Sequence, residues 1–125
     1  MEVAAVVAAI LLVILAVFQL ALAFGAPGGA AAWGGTHPGV LPARLRVGSA
    51  VAGLLFYPLL MLTVLDSGGV VSIGWDLSPV WLWVLTGFFV IGTLMNLLSR
   101  SKVERIWGPV SLVIAICCGV IAAGI

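Results

Sequence analysis

Four apolar stretches, each about as long as a membrane-spanning helix, constrain this chain more than any other feature of its sequence. They cover residues 3–24, 47–65, 80–98 and 106–125, and no charged residue lies inside them. A bilayer core of about 30 Å is crossed by roughly 20 apolar residues in a helix. The stretches lack the alternation typical of a membrane β-barrel. We therefore predict an all-α polytopic membrane protein, residues 1–125 forming a single four-transmembrane-helix bundle of two hairpins.

The composition agrees with this prediction. Only 7% of the residues are charged and 64% are hydrophobic, whereas a soluble domain has about a quarter charged residues on average. So few charges cannot cover a globular surface that faces water, and membrane lipids are the expected surroundings. The net charge of +1 and the absence of a basic cluster outside the loops give no indication of a nucleic-acid partner.

The charges between the stretches are distributed asymmetrically. The first and third connections carry all the basic side chains, namely Arg44, Arg46, Arg100, Lys102 and Arg105. The second connection has Asp66 and Asp76 and no basic residue. Under the positive-inside rule, loops 25–46 and 99–105 are cytoplasmic and both termini lie outside. The five basic residues are also candidate contacts for lipid phosphates, as is usual for basic side chains next to a membrane.

Local signals predict where helices begin and bend. Ser78 followed by Pro79 is typical of a helix start, with an N-cap and a proline in the first turn. Ser101 and Glu104 have the spacing of a capping box, which predicts that the fourth helix begins before its apolar part. Pro58 has no N–H group, so it predicts a kink in the second helix.

Small residues recur along one face of the fourth helix, at Ser111, Ala115, Gly119 and Ala123. Membrane helices associate closely through such residues. The face is suited to packing within the bundle or to contact with another protein, and spacing does not distinguish between these. The adjacent Cys117 and Cys118 are expected to be packing residues, because neighbouring cysteines are poorly placed for a structural disulfide or a metal site.

Three polar residues fall within the apolar stretches and are candidate polar contacts, either within the bundle or to a ligand: Gln19, Tyr57 and Asn96. Gln19 and Asn96 lie at similar depth in the first and third helices. A buried amide without a partner costs several kcal/mol in hydrocarbon. A Gln19–Asn96 hydrogen bond within the bundle, or extension of these side chains to the membrane interface, is therefore one expectation, and contact with a substrate is the other.

The first connection is long and rich in glycine and proline, yet poor in charge. It is expected either to fold back against the headgroup region or to cover the mouth of the bundle. His37, the only histidine, is an interfacial residue or pairs with Glu104. The chain has no phosphate loop, zinc-ligand spacing or paired histidines for haem. We therefore assign no catalytic, cofactor-binding or metal-binding residue, and we expect no cofactor.

Several loop motifs resemble those of a bacterial family of small four-helix integral membrane proteins without an assigned activity. The motifs are Gly-Ala-Pro from residue 25, Trp-Gly-Gly from 33, Leu-Pro followed by Arg over 41–46, and Ser-Lys-Val-Glu-Arg-Ile-Trp-Gly-Pro-Val from 101. The resemblance covers most of the chain. It implies a bacterial cytoplasmic membrane and no particular activity.

Three functions are compatible with these residues. The first, which the uncharged stretches favour, is a structural, accessory or self-associating helix-bundle protein, as a homo-oligomer or in a larger membrane complex. The alternative is a small transporter or channel for a neutral or apolar solute, which predicts a cavity near Gln19, Tyr57 and Asn96. An enzyme acting on lipid or quinone is least favoured, because too few titratable groups lie on one side of the membrane.

Overall fold

The structure, a computed structural model, describes residues 1–125 and is entirely helical apart from its connections. Its four long apolar helices are α1 (Glu2–Ala23), α2 (Ala43–Ser67), α3 (Pro79–Leu97) and α4 (Glu104–Ala122). Large apolar side chains cover the outside of the bundle; Leu98, for example, is 81% exposed. Exposing so much apolar surface to water would be unfavourable, whereas contact with lipid chains is favourable. The predicted fold class is confirmed: this is a four-helix bundle of the multi-pass membrane type.

The helices extend beyond some of the apolar stretches. α2 begins at Ala43, so Arg44 and Arg46 lie in its first turn, and α4 begins at Glu104. Charged residues therefore lie in the terminal turns of helices whose apolar parts contain none. The apolar stretches mark the part of each helix suited to hydrocarbon, whereas helical hydrogen bonding continues towards the water-facing ends.

Helix α2 changes its hydrogen-bonding pattern in the middle. It is α-helical over Ala43–Val51, becomes a π-helix over Ala52–Phe56, and is α-helical again over Tyr57–Ser67. The N–H group of Tyr57 donates to the carbonyl of Ala52, five residues earlier. Pro58, the next residue, has no N–H to donate. The irregularity expected from Pro58 is thus a π-turn just before it, a feature that is frequent at functional sites.

The connection between α2 and α3 is ordered by side-chain oxygens. Asp66 accepts a hydrogen bond from the N–H of Ile73 at 2.8 Å. Ser78 accepts one from the N–H of Val80 at 3.3 Å, with Pro79 in the first turn of α3. The start of α3 is as the sequence predicts.

The packing order of the helices leaves one side of the bundle loose. α1 packs along the whole of α2 and against α4, and α4 packs closely along α3. α2 and α3 make little contact with each other. Each half of the chain is a hairpin, and the two hairpins meet mainly through α1 and α4.

The two ends of the bundle differ in charge. At one end the amino group of Met1 donates to the carbonyl of Ile125 at 2.7 Å, and the connection 68–78 lies nearby. We call this the acidic end, because it carries Glu2, Asp66 and Asp76. The opposite end is formed by residues 24–46 and 98–105, which carry all five basic side chains, and we call it the basic end.

Two groups of buried side chains form the core. The larger has 13 residues and extends from the acidic end to the middle of the bundle: Ala5, Ala8, Ala9, Leu12, Leu15, Val64, Leu82, Phe89, Ile114, Ala115, Cys117, Cys118 and Ile121. The smaller consists of Leu22, Ala32 and Leu41, with Phe18 and Leu45 packed against it. It holds the first connection against the basic end.

Candidate functional site: a cavity near the basic end

A cavity of about 200 Å3 lies between the two core groups. All four helices and the first connection contribute to its lining, which consists of Leu15, Phe18, Gln19, Ala31, Ala32, Trp33, Tyr57, Phe88, Phe89, Gly92, Asn96, Glu104, Trp107 and Ser111. The three polar residues singled out in the sequence therefore come together in one place. The cavity combines an apolar wall with a few polar groups, as small-molecule sites commonly do.

Helical spacing brings these side chains to the cavity. In α4 the contributing residues are Glu104, Trp107 and Ser111, which are three and then four positions apart. Phe89 and Asn96 in α3 are seven positions apart, with Gly92 between them. Residues at these intervals share one face of a helix. α3 and α4 therefore each present a mixed aromatic and polar face to the cavity.

Aromatic rings form much of the wall. Phe18 of α1 lies against Trp107 of α4 with ring centroids 4.9 Å apart. Phe88 meets Phe56 across the loose side between α3 and α2, at 5.7 Å in an edge-to-face arrangement. This pair connects two helices that otherwise make little contact. The wall between α2 and α3 is thus the least packed part of the enclosure.

The amides of Gln19 and Asn96 do not bond to each other as expected. Asn96 Nδ2 instead donates to Ser111 Oγ at 3.4 Å. Gln19 Oε1 is buried and has no hydrogen-bond partner. The pairing was wrong because Asn96 turns towards α4, on which α3 packs most closely. A buried acceptor without a hydrogen bond lowers the stability of the fold by about 1–3 kcal/mol. The presence of the unpaired Gln19 oxygen therefore has to be explained.

Glu104 is a cavity residue that the sequence analysis did not identify. Its N–H donates to Ser101 Oγ at 3.4 Å, which is one half of the expected capping box. The other half does not form, because the N–H of Ser101 donates to Ser99 Oγ at 3.2 Å. The Glu104 residue is only 6% exposed and lines the cavity. Its spacing to Trp107 and Ser111 was the available signal.

His37 does not pair with Glu104. Its Nδ1 atom lies 3.0 Å from Thr36 Oγ1, at the exposed surface of the first connection. No group of three or more His, Cys, Asp or Glu side chains is placed to hold a metal ion. An interfacial position of His37 remains a prediction.

The first connection forms the floor of the cavity at the basic end. The indole N–H of Trp107 donates to the carbonyl of Ala31 at 2.8 Å, and that of Trp33 donates to Ser49 Oγ at 3.0 Å. A Cβ atom on Gly29 would lie 2.0 Å from the carbonyl oxygen of His37, so only glycine fits there. Of the two expected courses, the connection takes the one that covers the mouth of the bundle.

The basic side chains surround this end and do not line the cavity. Arg46 Nε donates to the carbonyl of Ala23 at 3.1 Å, and Arg105 Nε donates to that of Ser99 at 2.8 Å. Arg44, Arg100 and Lys102 are exposed. Their contact with lipid phosphates remains a prediction.

The small-residue face of α4 is used mainly inside the bundle. Ser111 and Ala115 are buried. A Cβ atom on Gly119 would lie 3.8 Å from Thr86 and Trp83 of α3, and Ala123 is exposed. The close α3–α4 packing therefore occupies most of this face.

The fold and the cavity together define a small four-helix membrane protein with a mixed polar and apolar internal site. No family model, curated protein or solved structure matches this chain. The motifs on which the sequence resemblance depends all lie at the basic end, where Trp33, Glu104 and Trp107 line the cavity.

Proposed function

We propose that this protein binds a small amphipathic molecule in the cavity, taken up from the surrounding membrane, and that it acts as a carrier or transporter. The observation that carries the proposal is the buried Gln19 Oε1, an acceptor without a partner in a cavity that Tyr57 and Asn96 also line. Polar groups inside membrane bundles are usually satisfied. A ligand that donates a hydrogen bond would satisfy this one.

The loose α2–α3 side supports entry from the membrane. These helices make little contact, and Phe56 and Phe88 meet across the gap between them. Phe56, which meets Phe88, is the last residue of the π-helix Ala52–Phe56, and π-helical segments are frequent at functional sites. An apolar molecule in the bilayer would reach the cavity by separation of the two rings.

The floor of the cavity supports a barrier to water. The first connection is held beneath the site by hydrogen bonds from Trp33 and Trp107. We propose that the basic end faces the cytoplasm, since all five basic residues lie there. We also propose that the membrane is the bacterial cytoplasmic membrane, on the basis of the loop motifs.

An accessory role in a larger complex is the second candidate. The specific observation in its favour is the exposed surface of α3, where Trp81, Trp83 and Val84 are each more than half exposed. Against it, most of the small-residue face of α4 is occupied within the bundle. The carrier proposal accounts for the cavity and its unsatisfied acceptor, whereas the accessory proposal does not.

Native mass spectrometry of the protein in nanodiscs formed directly from its own membrane tests the carrier proposal. Gly92→Leu should fill the cavity, since Gly92 lines it and an added Cβ atom would meet only Ser111 Oγ at 3.9 Å. Gly87→Leu is the matched control on the same helix, because nothing lies within 4 Å of an added Cβ atom.

We expect the wild type and Gly87→Leu to retain a defined small molecule and Gly92→Leu to lose it. A wild-type protein without any such molecule would contradict the carrier proposal, as would equal retention by Gly92→Leu. A constant mass of a second protein or of a defined oligomer, with an empty cavity, would favour the accessory role.

A further inference from the structure

We infer that the polar end of the ligand is an organic ammonium group, carried on a short apolar body. This inference depends on the proposed function, because it names the class of molecule that the same cavity takes. It comes from the chemistry of the groups in the cavity that have no partner.

Two side chains that line the cavity present acceptors without a hydrogen-bond partner. Gln19 Oε1 is buried without a hydrogen bond. Glu104 is 6% exposed, and an ionised carboxylate only accepts hydrogen bonds. The amide N–H group of Asn96, by contrast, already donates to Ser111 Oγ at 3.4 Å. A ligand that donates hydrogen bonds would complement these two acceptors.

The negative charge of Glu104 favours a hydrogen-bond donor that carries a positive charge. A buried carboxylate requires a positive partner, and no Lys, Arg or His lines the cavity. The neighbouring Arg105 is exposed and donates through Nε to the carbonyl of Ser99, and Lys102 is exposed as well. An ammonium group supplies the missing charge together with up to three N–H donors.

The walls fit the rest of such a molecule. Phe18 and Trp107, with ring centroids 4.9 Å apart, both line the cavity. Aromatic faces attract cations, and Leu15, Phe88 and Phe89 supply an apolar surface for the body of the ligand. An anionic ligand would place its charge beside that of Glu104 and leave both acceptors without donors.

Three probes with the same fluorinated ring test this inference on the full chain in phosphatidylcholine nanodiscs: para-fluorophenylethylammonium, para-fluorophenylethanol and para-fluorophenylpropanoate. Binding is measured by fluorine NMR, and empty nanodiscs give the background from partitioning. Because a hydrogen bond to a charged group is stronger than one between neutral groups, we expect the ammonium probe to bind roughly tenfold or more tightly than the alcohol. The propanoate should bind most weakly.

Variants of Glu104 distinguish the effect of its charge on binding from the effect of its size. Glu104→Gln should reduce binding of the ammonium probe about tenfold and leave that of the alcohol almost unchanged. Glu104→Asp keeps the charge and should keep the preference for ammonium. Glu2→Gln, which removes an exposed carboxylate at the acidic end, is the matched control and should have no effect.

The two proposals fail in different ways. If the alcohol or the propanoate binds as tightly as the ammonium probe and Glu104→Gln changes nothing, while Gly92→Leu abolishes binding, the cavity is a ligand site but the cationic class is wrong. If no probe binds above the empty-nanodisc background, both the inference and the carrier proposal are contradicted. Each variant is compared only after its thermal transition has been shown to match that of the wild type.

Discussion

The acidic and basic halves of the bundle contain the same four helices but pack them differently. In the acidic half small side chains lie at the contacts: Ala5, Ala8 and Cys118 are completely buried, and a Cβ atom on Gly68 would lie 2.4 Å from that of Ala5. In the basic half aromatic side chains surround a cavity of about 200 Å3 with a buried unsatisfied acceptor.

Side-chain size accounts for much of this difference. Where alanine and glycine face each other, helix backbones approach closely and gain dispersion contacts. Where large rings such as Phe18 and Trp107 pack between the helices, a cavity remains beside them, and α2 contains a π-turn before Pro58. We infer that the acidic half supplies most of the stability and that the basic half supplies the site. The following predictions test this division.

The largest effect is expected from overpacking the acidic half. Ala8→Leu inserts a larger side chain at a fully buried contact, and it should lower the free energy of unfolding by about 3 kcal/mol. Gly92→Leu, which enters the cavity, should change it by much less. Unfolding of both variants is followed by tryptophan fluorescence in mixed micelles.

Val6→Leu is the control for Ala8→Leu, because Val6 is 42% exposed on the same helix. It should behave as the wild type. If Gly92→Leu destabilises the protein as much as Ala8→Leu does, the two halves are equally tightly packed and the division is wrong.

The second prediction is that removing the unsatisfied acceptor stabilises the protein. Gln19→Leu eliminates a buried oxygen that has no partner and should raise the free energy of unfolding by about 1–2 kcal/mol in the absence of ligand. The same variant should lose retained ligand, as expected where a site is maintained at a cost in stability. Chemical unfolding and native mass spectrometry measure the two effects.

Val17→Leu, at a 60% exposed position of α1, is the control and should leave both quantities unchanged. A loss of stability in Gln19→Leu would mean that the amide oxygen has a partner after all, and the argument for a donating ligand would then be lost.

A smaller effect is expected at the floor of the cavity. Trp107→Phe removes the hydrogen bond to Ala31 and should weaken the first connection by about 1 kcal/mol, raising amide exchange there about fivefold. Residues 68–78 at the acidic end should exchange as in the wild type. Hydrogen–deuterium exchange with peptide-level mass spectrometry measures both regions. Equal changes in exchange at the two ends would contradict a local role of the Trp107 hydrogen bond in holding the first connection.

The smallest effect concerns the lipid contacts of the basic end. Replacing Arg100 and Lys102, which are exposed, by Gln should lower retention of phosphatidylglycerol, with each charge worth about 1 kcal/mol or less. Asp76→Asn at the acidic end is the control. If both variants retain the same amount of this lipid, the basic residues do not bind lipid phosphates preferentially.

Much of the fold could be predicted from the sequence, because it follows from length and apolarity. The four apolar stretches identified the helices, and Ser78 with Pro79 located the start of α3. The presence of Gln19, Tyr57 and Asn96 in one place was also within reach, since similar depth in a membrane brings polar residues to the same level of a bundle.

The remainder depends on tertiary packing. The Ser101–Glu104 spacing predicts a capping box. It does not show whether the Glu104 side chain bonds back to the turn or lines a cavity, because that depends on how the neighbouring helices pack. The same is true of Asn96, which could reach Gln19 or Ser111. Pro58 indicates an irregularity in α2, but the sequence does not specify that it takes the form of a π-turn over Ala52–Phe56.

A high-resolution structure of the protein extracted from its own membrane, without added ligand, would show whether the cavity holds a molecule. We expect elongated non-protein density in the cavity, with its polar end between Gln19 and Glu104 and its apolar end among the aromatic rings. The contradicting result is a collapsed, dry cavity in which Phe88 meets Trp107 and the amide of Gln19 is bonded to that of Asn96.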